Sequence, residues 1–163
     1  MVKPTVEIEG TEVLKRNFEK LAEEYSEEIV RGAVMGAELV RGDAIKSIQS
    51  ASSGSQVTRH TTAGQPYSHV AAKAGAAPNT DTGRLVASVQ VETKGGGLFG
   101  ESQRGIFVGS TLLYAAYLEQ GTRIMAARPW LMPALERNRE NIFKLIGKRV
   151  DDVTIAGNRL INK

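Results

Sequence analysis

Three groups of residues in this chain have types and spacings that could do chemistry. Gly95-x-Gly97-x-x-Gly100 is a literal dinucleotide-binding pattern, in which glycines bring backbone close to a pyrophosphate held at a helix N-terminus. That chemistry needs a helix directly after the glycines, and Glu101 to Gly109 reads as a strand, so a hairpin tip is the better account. Asp81-Thr82-Gly83 is the triplet of an aspartic protease, where two carboxylates share one proton. There the Asp follows an apolar strand. Here Pro78-Asn79-Thr80 precedes it and Arg84 follows, the pattern of a capped turn that launches a strand at Leu85. His60 and His69 stand nine residues apart without acidic neighbours at ligand spacing, which reads as two exposed loop histidines and not a metal pair. Two loop histidines argue for no Ser-His-acid arrangement, and with no Cys no thiolate nucleophile or disulfide is available. The residues predict a non-enzyme with no metal and no cofactor.

The elements that would position these residues follow from periodicity. Thr5 to Glu9 alternates apolar and polar residues and stops at Gly10, which predicts a short strand. From Thr11 the period changes: Leu14, Phe18, Leu21 and Tyr25 share one helical face, and the pattern resumes at Ile29, Ala33, Ala37, Val40, Ala44 and Ile48. Ser26 could interrupt it, so two consecutive helices or one bent helix are expected over residues 11–48. Gly32, Gly36 and Gly42 lower intrinsic helicity by roughly 1 kcal/mol each and suggest close backbone approach. Leu85 to Glu92 and Gly105 to Gly109 read as two strands of a hairpin with a mobile tip at Gly95 to Gly97. A final helix from about Trp130 carries Leu135, Ile142, Leu145 and Ile146 inside and Arg137, Arg139, Lys144, Lys148 and Arg149 outside. Residues 151–163 read as a weakly patterned tail, with a short strand at Val153 to Ile155.

Residues 50–84 are rich in Ser, Thr, Gly and Ala, with Pro66 and Pro78 and no apolar period. A structureless stretch of that length inside a compact domain points to function or disorder. It is read as an extended loop, an assembly arm that orders against a neighbouring copy. Tyr67, Val70 and the alanines from Ala71 to Ala77 would be its buried points, and Arg59, Lys73 and Arg84 its contacts to the acidic helix of that copy. At 163 residues and 41% hydrophobic composition the chain is expected to form a single α+β domain. Residues 1–50 carry seven Lys/Arg and ten Asp/Glu, while the rest of the chain is net basic, which suits head-to-tail contact between copies. The first residues lack the apolar core of a signal peptide, and no run reaches the roughly 18 apolar residues of a membrane span.

The stretch Leu112 to Leu135 concentrates the aromatic and backbone-restricting residues. Leu113, Tyr114, Tyr117 and Leu118 form an apolar stripe on a short helix, and Gly121 follows where a left-handed residue would end it. Pro129 and Pro133 are tolerated only at the start of the next helix, with Trp130, the single tryptophan, at the junction. Trp130, Leu131 and Leu135 are candidates for the core. Arg128 is expected to reach a carboxylate such as Glu119 and fix the intervening loop.

Tyr114-Ala-Ala-Tyr-Leu-Glu-Gln-Gly-Thr122 followed by Met125-Ala-Ala-Arg-Pro-Trp-Leu-Met-Pro-Ala-Leu135, with Asp81-Thr82-Gly83-Arg84-Leu85 upstream, resembles the small tail-component proteins of long-tailed bacteriophages, the neck, head-tail joining or tail-completion type. The resemblance covers most of residues 11–150 and excludes the spacer 50–78. It implies an α+β subunit without catalytic role that forms a ring, six-fold by expectation, at the head-tail junction or tail end. Its partners would be copies of itself and neighbouring connector and tail-tube proteins, with DNA only passing through the channel. It would be made in the bacterial cytoplasm and carried in the virion. The assembly residues implied are Asp81, Thr82, Gly83, Arg84, Leu85, Tyr114, Tyr117, Glu119, Gly121, Thr122, Arg128, Pro129, Trp130 and Pro133. The second reading is a DNA-binding or DNA-protecting accessory protein, suggested by the basic final helix.

Overall fold

The computed structural model describes residues 11–50, 54–93 and 105–161. The strand read at Thr5 to Glu9 and the glycine pattern at 95–100 lie outside them. Two long helices dominate: α1, Thr11–Gln49, and α4, Met132–Ile161. Between them come two hairpins and two short helices. Strands β1, Gln56–His60, and β2, Pro66–Val70, pair antiparallel, as do β3, Val89–Thr93, and β4, Ile106–Ser110. Helix α2 spans Arg84–Ser88 and α3 spans Leu113–Gln120. The mixed helix and antiparallel-strand architecture is the α+β class read from the sequence.

Helices α1 and α4 run antiparallel, and the glycines set their separation. A Cβ on Gly32 would lie 2.9 Å from Ile146 Cα, and one on Gly36 would lie 2.9 Å from Ile142 Cγ1. The backbones therefore meet at Gly32, and at Gly36 the side chain of Ile142 fills the space that a Cβ would take. Tyr25 Oη to Thr154 Oγ1 at 2.7 Å, Arg149 to Glu28 at 3.4 Å and Arg137 Nε to Asp43 at 2.9 Å extend the register along the pair. The next face of α1 carries Val40, Ala44 and Ile48 into a core with Leu85, Val89, Ala115, Trp130 and Ala134. There α1 lies across β3 and β4. Arg41 Nε donates to Val89 O at 2.9 Å, tying β3 to the helix.

Several elements differ from the sequence reading. Of the two alternatives for residues 11–48 the single helix holds: α1 runs unbroken through Ser26, whose side chain is exposed. Residues 84–88 form a helical turn and not the first half of a strand. Ser88 Oγ donates to Leu85 O at 2.7 Å and contacts Ser110 Oγ at 2.6 Å, so the hydroxyl closes the turn and Ser110 supplies the second proton. The tail read over residues 151–163 is helical as far as Ile161, since Val153 and Gly157 keep the four-residue spacing against α1 and Val153 is buried. The spacer 50–84 is not structureless, because β1 and β2 lie within it. Among the described residues no helix is long and apolar enough to cross a membrane.

The helix contact makes a paired prediction. Gly32→Ala forces a methyl group against the Ile146 backbone and is expected to cost about 1–3 kcal/mol. Gly42 has nothing within 4 Å of its Cβ direction, so Gly42→Ala is expected to add about 0.5–1 kcal/mol through helix propensity. Chemical denaturation of the two variants should give shifts of opposite sign.

Candidate assembly site

The two sequence elements singled out above converge from opposite ends of the central region. The first is a clasp between α3 and α4. Leu131 O accepts from Leu135 N at 3.0 Å, which places the first free amides of α4 at residues 130–132. All three are taken by one side chain: Glu119 Oε2 accepts from Trp130 N at 2.8 Å and Leu131 N at 3.0 Å, and Oε1 accepts from Met132 N at 2.9 Å. Pro133, next in line, has no N–H to satisfy. A carboxylate at this end also meets the positive pole of a long helix. Glu119 thus caps α4 from another helix, a role that its sequence neighbours do not reveal.

Gly121 closes α3 with φ 76° and ψ −178°. A Cβ there would also lie 2.8 Å from Ala127 N and Met125 O, so the position requires glycine twice over. Its ψ is extended, which sends the chain away from the helix in place of the left-handed turn expected. Thr122 then folds residues 122–125 into a tight turn: Thr122 N donates to Met125 O at 2.8 Å, and Thr122 Oγ1 accepts from Met125 N at 3.1 Å. Arg128 N donates to Leu118 O at 2.7 Å, bringing the strand-like segment back under α3. Pro129 delivers Trp130, 2% exposed, to the core.

The expected Arg128 to Glu119 pair is absent. Both Glu119 oxygens are occupied by helix amides, and Arg128 Nε is buried without a hydrogen-bond partner among the described residues, as is Trp130 Nε1. Arg128 lines a cleft instead. The expected apolar stripe of α3 is also turned: Leu112, Ala115 and Leu118 pack on the core, whereas Leu113, Tyr114 and Tyr117 face solvent. Ile124, at the tip of the tight turn, is 92% exposed, and Leu135 is exposed as well.

The second element is built on Asp81. Its Oδ2 accepts from Arg59 Nη1 at 2.7 Å and its Oδ1 from Tyr67 Oη at 2.8 Å, with His69 Nδ1 3.6 Å from the same Oδ1. Arg59 and Tyr67 are cross-strand partners, and His69 is two residues on, so one face of the β1–β2 hairpin is gathered on a single carboxylate. His69 therefore has an acidic neighbour that linear spacing could not show. Asn79 Nδ2 donates to Val70 O at 2.8 Å and Thr80 binds Ile48 O, anchoring the same junction to the end of α1. Gly83, at φ 74°, turns the chain into α2, and Leu85 enters the core. Tyr67 holds its proton above the ordinary value of 10.0, because its hydroxyl donates to Asp81, with burial and the Asp81 charge adding to the effect.

A cleft of about 330 Å³ separates the two elements, lined by Asp81, Thr82, Gly83, Arg84 and Leu85 on one side and Tyr114, Leu118 and Arg128 on the other, with Arg59 and His69 from the hairpin. The structure thus brings most of the singled-out residues to one region, while Glu119, Pro133 and Trp130 stand behind it. Arg59 and Tyr67, read as contacts to another copy, are engaged within the subunit.

Glu119→Ala is expected to cost about 2 kcal/mol by uncapping α4, and Glu119→Gln less, since one oxygen acceptor remains. Trp130→Ala is expected to cost about 3–5 kcal/mol. Both are read by urea denaturation. For Tyr67, whose folded value is raised, the hydroxyl bond to Asp81 is intact below pH 10 and is lost as pH rises through that raised value. Titration of this tyrosine by NMR should give a midpoint above 10.0, returning toward it in Asp81→Asn.

No curated protein and no solved structure matches the chain. The family model described as "Bacteriophage HK97-gp10, putative tail-component" matches residues 12–121, about two thirds of the chain. The match takes in α1, both hairpins, α2 and α3 and ends at Gly121, so the Arg-Pro-Trp segment and α4 lie beyond it. With the matched span covering the Asp81 junction, the Tyr114 helix and Glu119, the chain belongs to the HK97 gp10-like family of bacteriophage tail components.

Proposed function

We propose that the protein is a structural virion subunit that forms a ring at the head-tail junction or at the end of the tail tube. There it completes the tail and connects it to the capsid, and it acts without catalysis. The observation that carries this reading is the division of labour within the α3 region. Glu119, Gly121 and Trp130 fix the segment rigidly, yet the same segment turns Leu113, Tyr117 and Ile124 outward at 75%, 50% and 92% exposure. The fold of one subunit has no use for them there. Large apolar side chains held rigid and exposed are what a permanent neighbour buries. That neighbour is another copy or an adjoining connector or tail-tube protein.

The β1–β2 hairpin serves as the arm of the subunit. It meets the body chiefly through the Asp81 junction and leaves Thr58, His60, Pro66 and Ser68 exposed, free to contact an adjoining ring. The DNA-binding reading draws less support, because the cations of α4 are partly spent inside the subunit: Arg137 on Asp43 and Arg149 on Glu28.

Leu113→Asp and Ile124→Asp change only exposed positions, so unfolding stability should stay within about 0.5 kcal/mol of the parent. Incorporation into particles should fall sharply, leaving unjoined heads and tails under the electron microscope. Normal incorporation of both variants, or absence of the protein from purified particles by mass spectrometry, would refute the reading.

A further inference from the structure

The side chain of Arg128 has no acceptor where it lies. Its Nε is buried, yet its guanidinium makes no hydrogen bond and no ion pair among the described residues. A charged donor left in that state is costly to the subunit. The backbone gives it no freedom to leave. Arg128 N donates to Leu118 O at 2.7 Å, and on the preceding residue Ala127 O accepts from Gly75 N at 2.9 Å, while the ring of Pro129 restricts the chain beyond. The arginine is therefore presented at the wall of the cleft by a held segment.

Arg84 lines the same cleft. It follows Gly83, whose backbone at φ 74° turns the chain, and precedes Leu85, which is locked in the core. Its exposed side chain also has no partner among the described residues. Asp81 is the single carboxylate on the lining, and its two oxygens already accept from Arg59 and Tyr67. The cleft thus holds two unspent guanidinium groups and no free acceptor for them. Ile48, Pro78 and Leu85, all buried, make part of its wall apolar.

We propose that this cleft is a carboxylate-binding site, which takes a Glu or Asp side chain from an acidic peptide segment of a neighbouring polypeptide. A guanidinium matches a carboxylate through two parallel N–H donors, and an apolar wall with a few fixed polar groups suits the stem that carries it. A volume of about 330 Å³ lies at the small end of ligand sites, the size for an inserted side chain with its flanking backbone. Nucleic-acid phosphates are met by cations along a groove that follows the strand. Here the free cations close on one small concave space, which favours the peptide. The site deepens the structural reading above and rests on it for the partner. Tyr114 lines the cleft and is 40% exposed, so a segment docked here continues onto the outward face of α3.

The site is read in the full-length protein by NMR of the arginine Nε–H signals, at a concentration where sedimentation gives a monomer. The probe acetyl-Ala-Glu-Ala-amide should shift the Arg84 and Arg128 signals to saturation, and acetyl-Ala-Gln-Ala-amide should not. Arg84→Met or Arg128→Met should weaken the Glu peptide by about tenfold or more. Because Arg128→Met removes an unpaired buried donor, its urea midpoint should be no lower than that of the parent. A lowered midpoint assigns this arginine a structural role and overturns the proposal. Equal shifts from the Gln peptide, or no shift from either, also overturn it, and tighter binding of inorganic phosphate than of the Glu peptide replaces it with a phosphate site. In particles, the double variant Arg84→Met/Arg128→Met should be incorporated less than the parent. Incorporation at the parental level overturns the docking role and leaves the structural reading standing, since Leu113→Asp and Ile124→Asp test that reading away from the cleft. Absence of the protein from particles refutes the structural reading, and the peptide titration then decides the carboxylate site by itself.

Discussion

The carboxylate of Glu119 is the fixed point of the molecule. A helix of thirty residues begins with amides that water would otherwise solvate, and here three of them converge on two oxygens of one side chain from another helix. That convergence sets where α4 starts, and the start sets which residues of α4 face α1. With Met132 held against α3, Ala134 falls into the core beside Trp130, and Ile142 and Ile146 arrive opposite Gly36 and Gly32. The interaction is charge-assisted and partly buried, so it holds its geometry better than an exposed ion pair would. The buried core is small and built largely from alanines, valines and a single indole. It depends on close approach of backbones more than on bulk.

Much of this was legible in the sequence where a period ran long. The Leu14 to Ile48 spacing identified α1, and the positions of Pro129, Pro133 and Gly121 bracketed the change from α3 to α4. Legibility failed where a short element draws its stability from a distant residue. In β1 and β2 the inward side chains are Val57, Arg59, Tyr67 and His69, which present no apolar alternation. Asp81 gathers three of them, Arg59, Tyr67 and His69, into a hairpin face, and nothing in the local pattern announces that. The last three turns of α4 were missed because Asp151 and Asp152 mask a four-residue spacing. That spacing becomes visible only once Leu21 and Tyr25 are placed opposite it.

Side-chain roles were harder to read than elements. Tyr114 and Tyr117 look like core residues by type, yet the core already has Ala115 on the adjacent face, and α3 is too short to bury two faces. Arg128 looked like a partner for Glu119 because opposite charges stood at a loop of suitable length. Backbone amides at a helix start are preorganised and need no side-chain ordering, so they win the carboxylate, and the arginine turns to the cleft. Sequence proximity identified the right participants and the wrong pairing.

The lengths of the two long helices have a mechanical consequence. α4 is about 45 Å long at 1.5 Å per residue, is gripped at its first turn by Glu119, and is packed backbone to backbone on α1 near its middle. A strut held in this way acts as a lever. A tilt of about 5° at the gripped end would carry the far end roughly 4 Å over that length, enough to change which side chains meet there. A contact made at the exposed tip of the Thr122 turn would then be felt at the far end of α4, where Thr154 and Gly157 lie beside Tyr25 and Leu21 of α1.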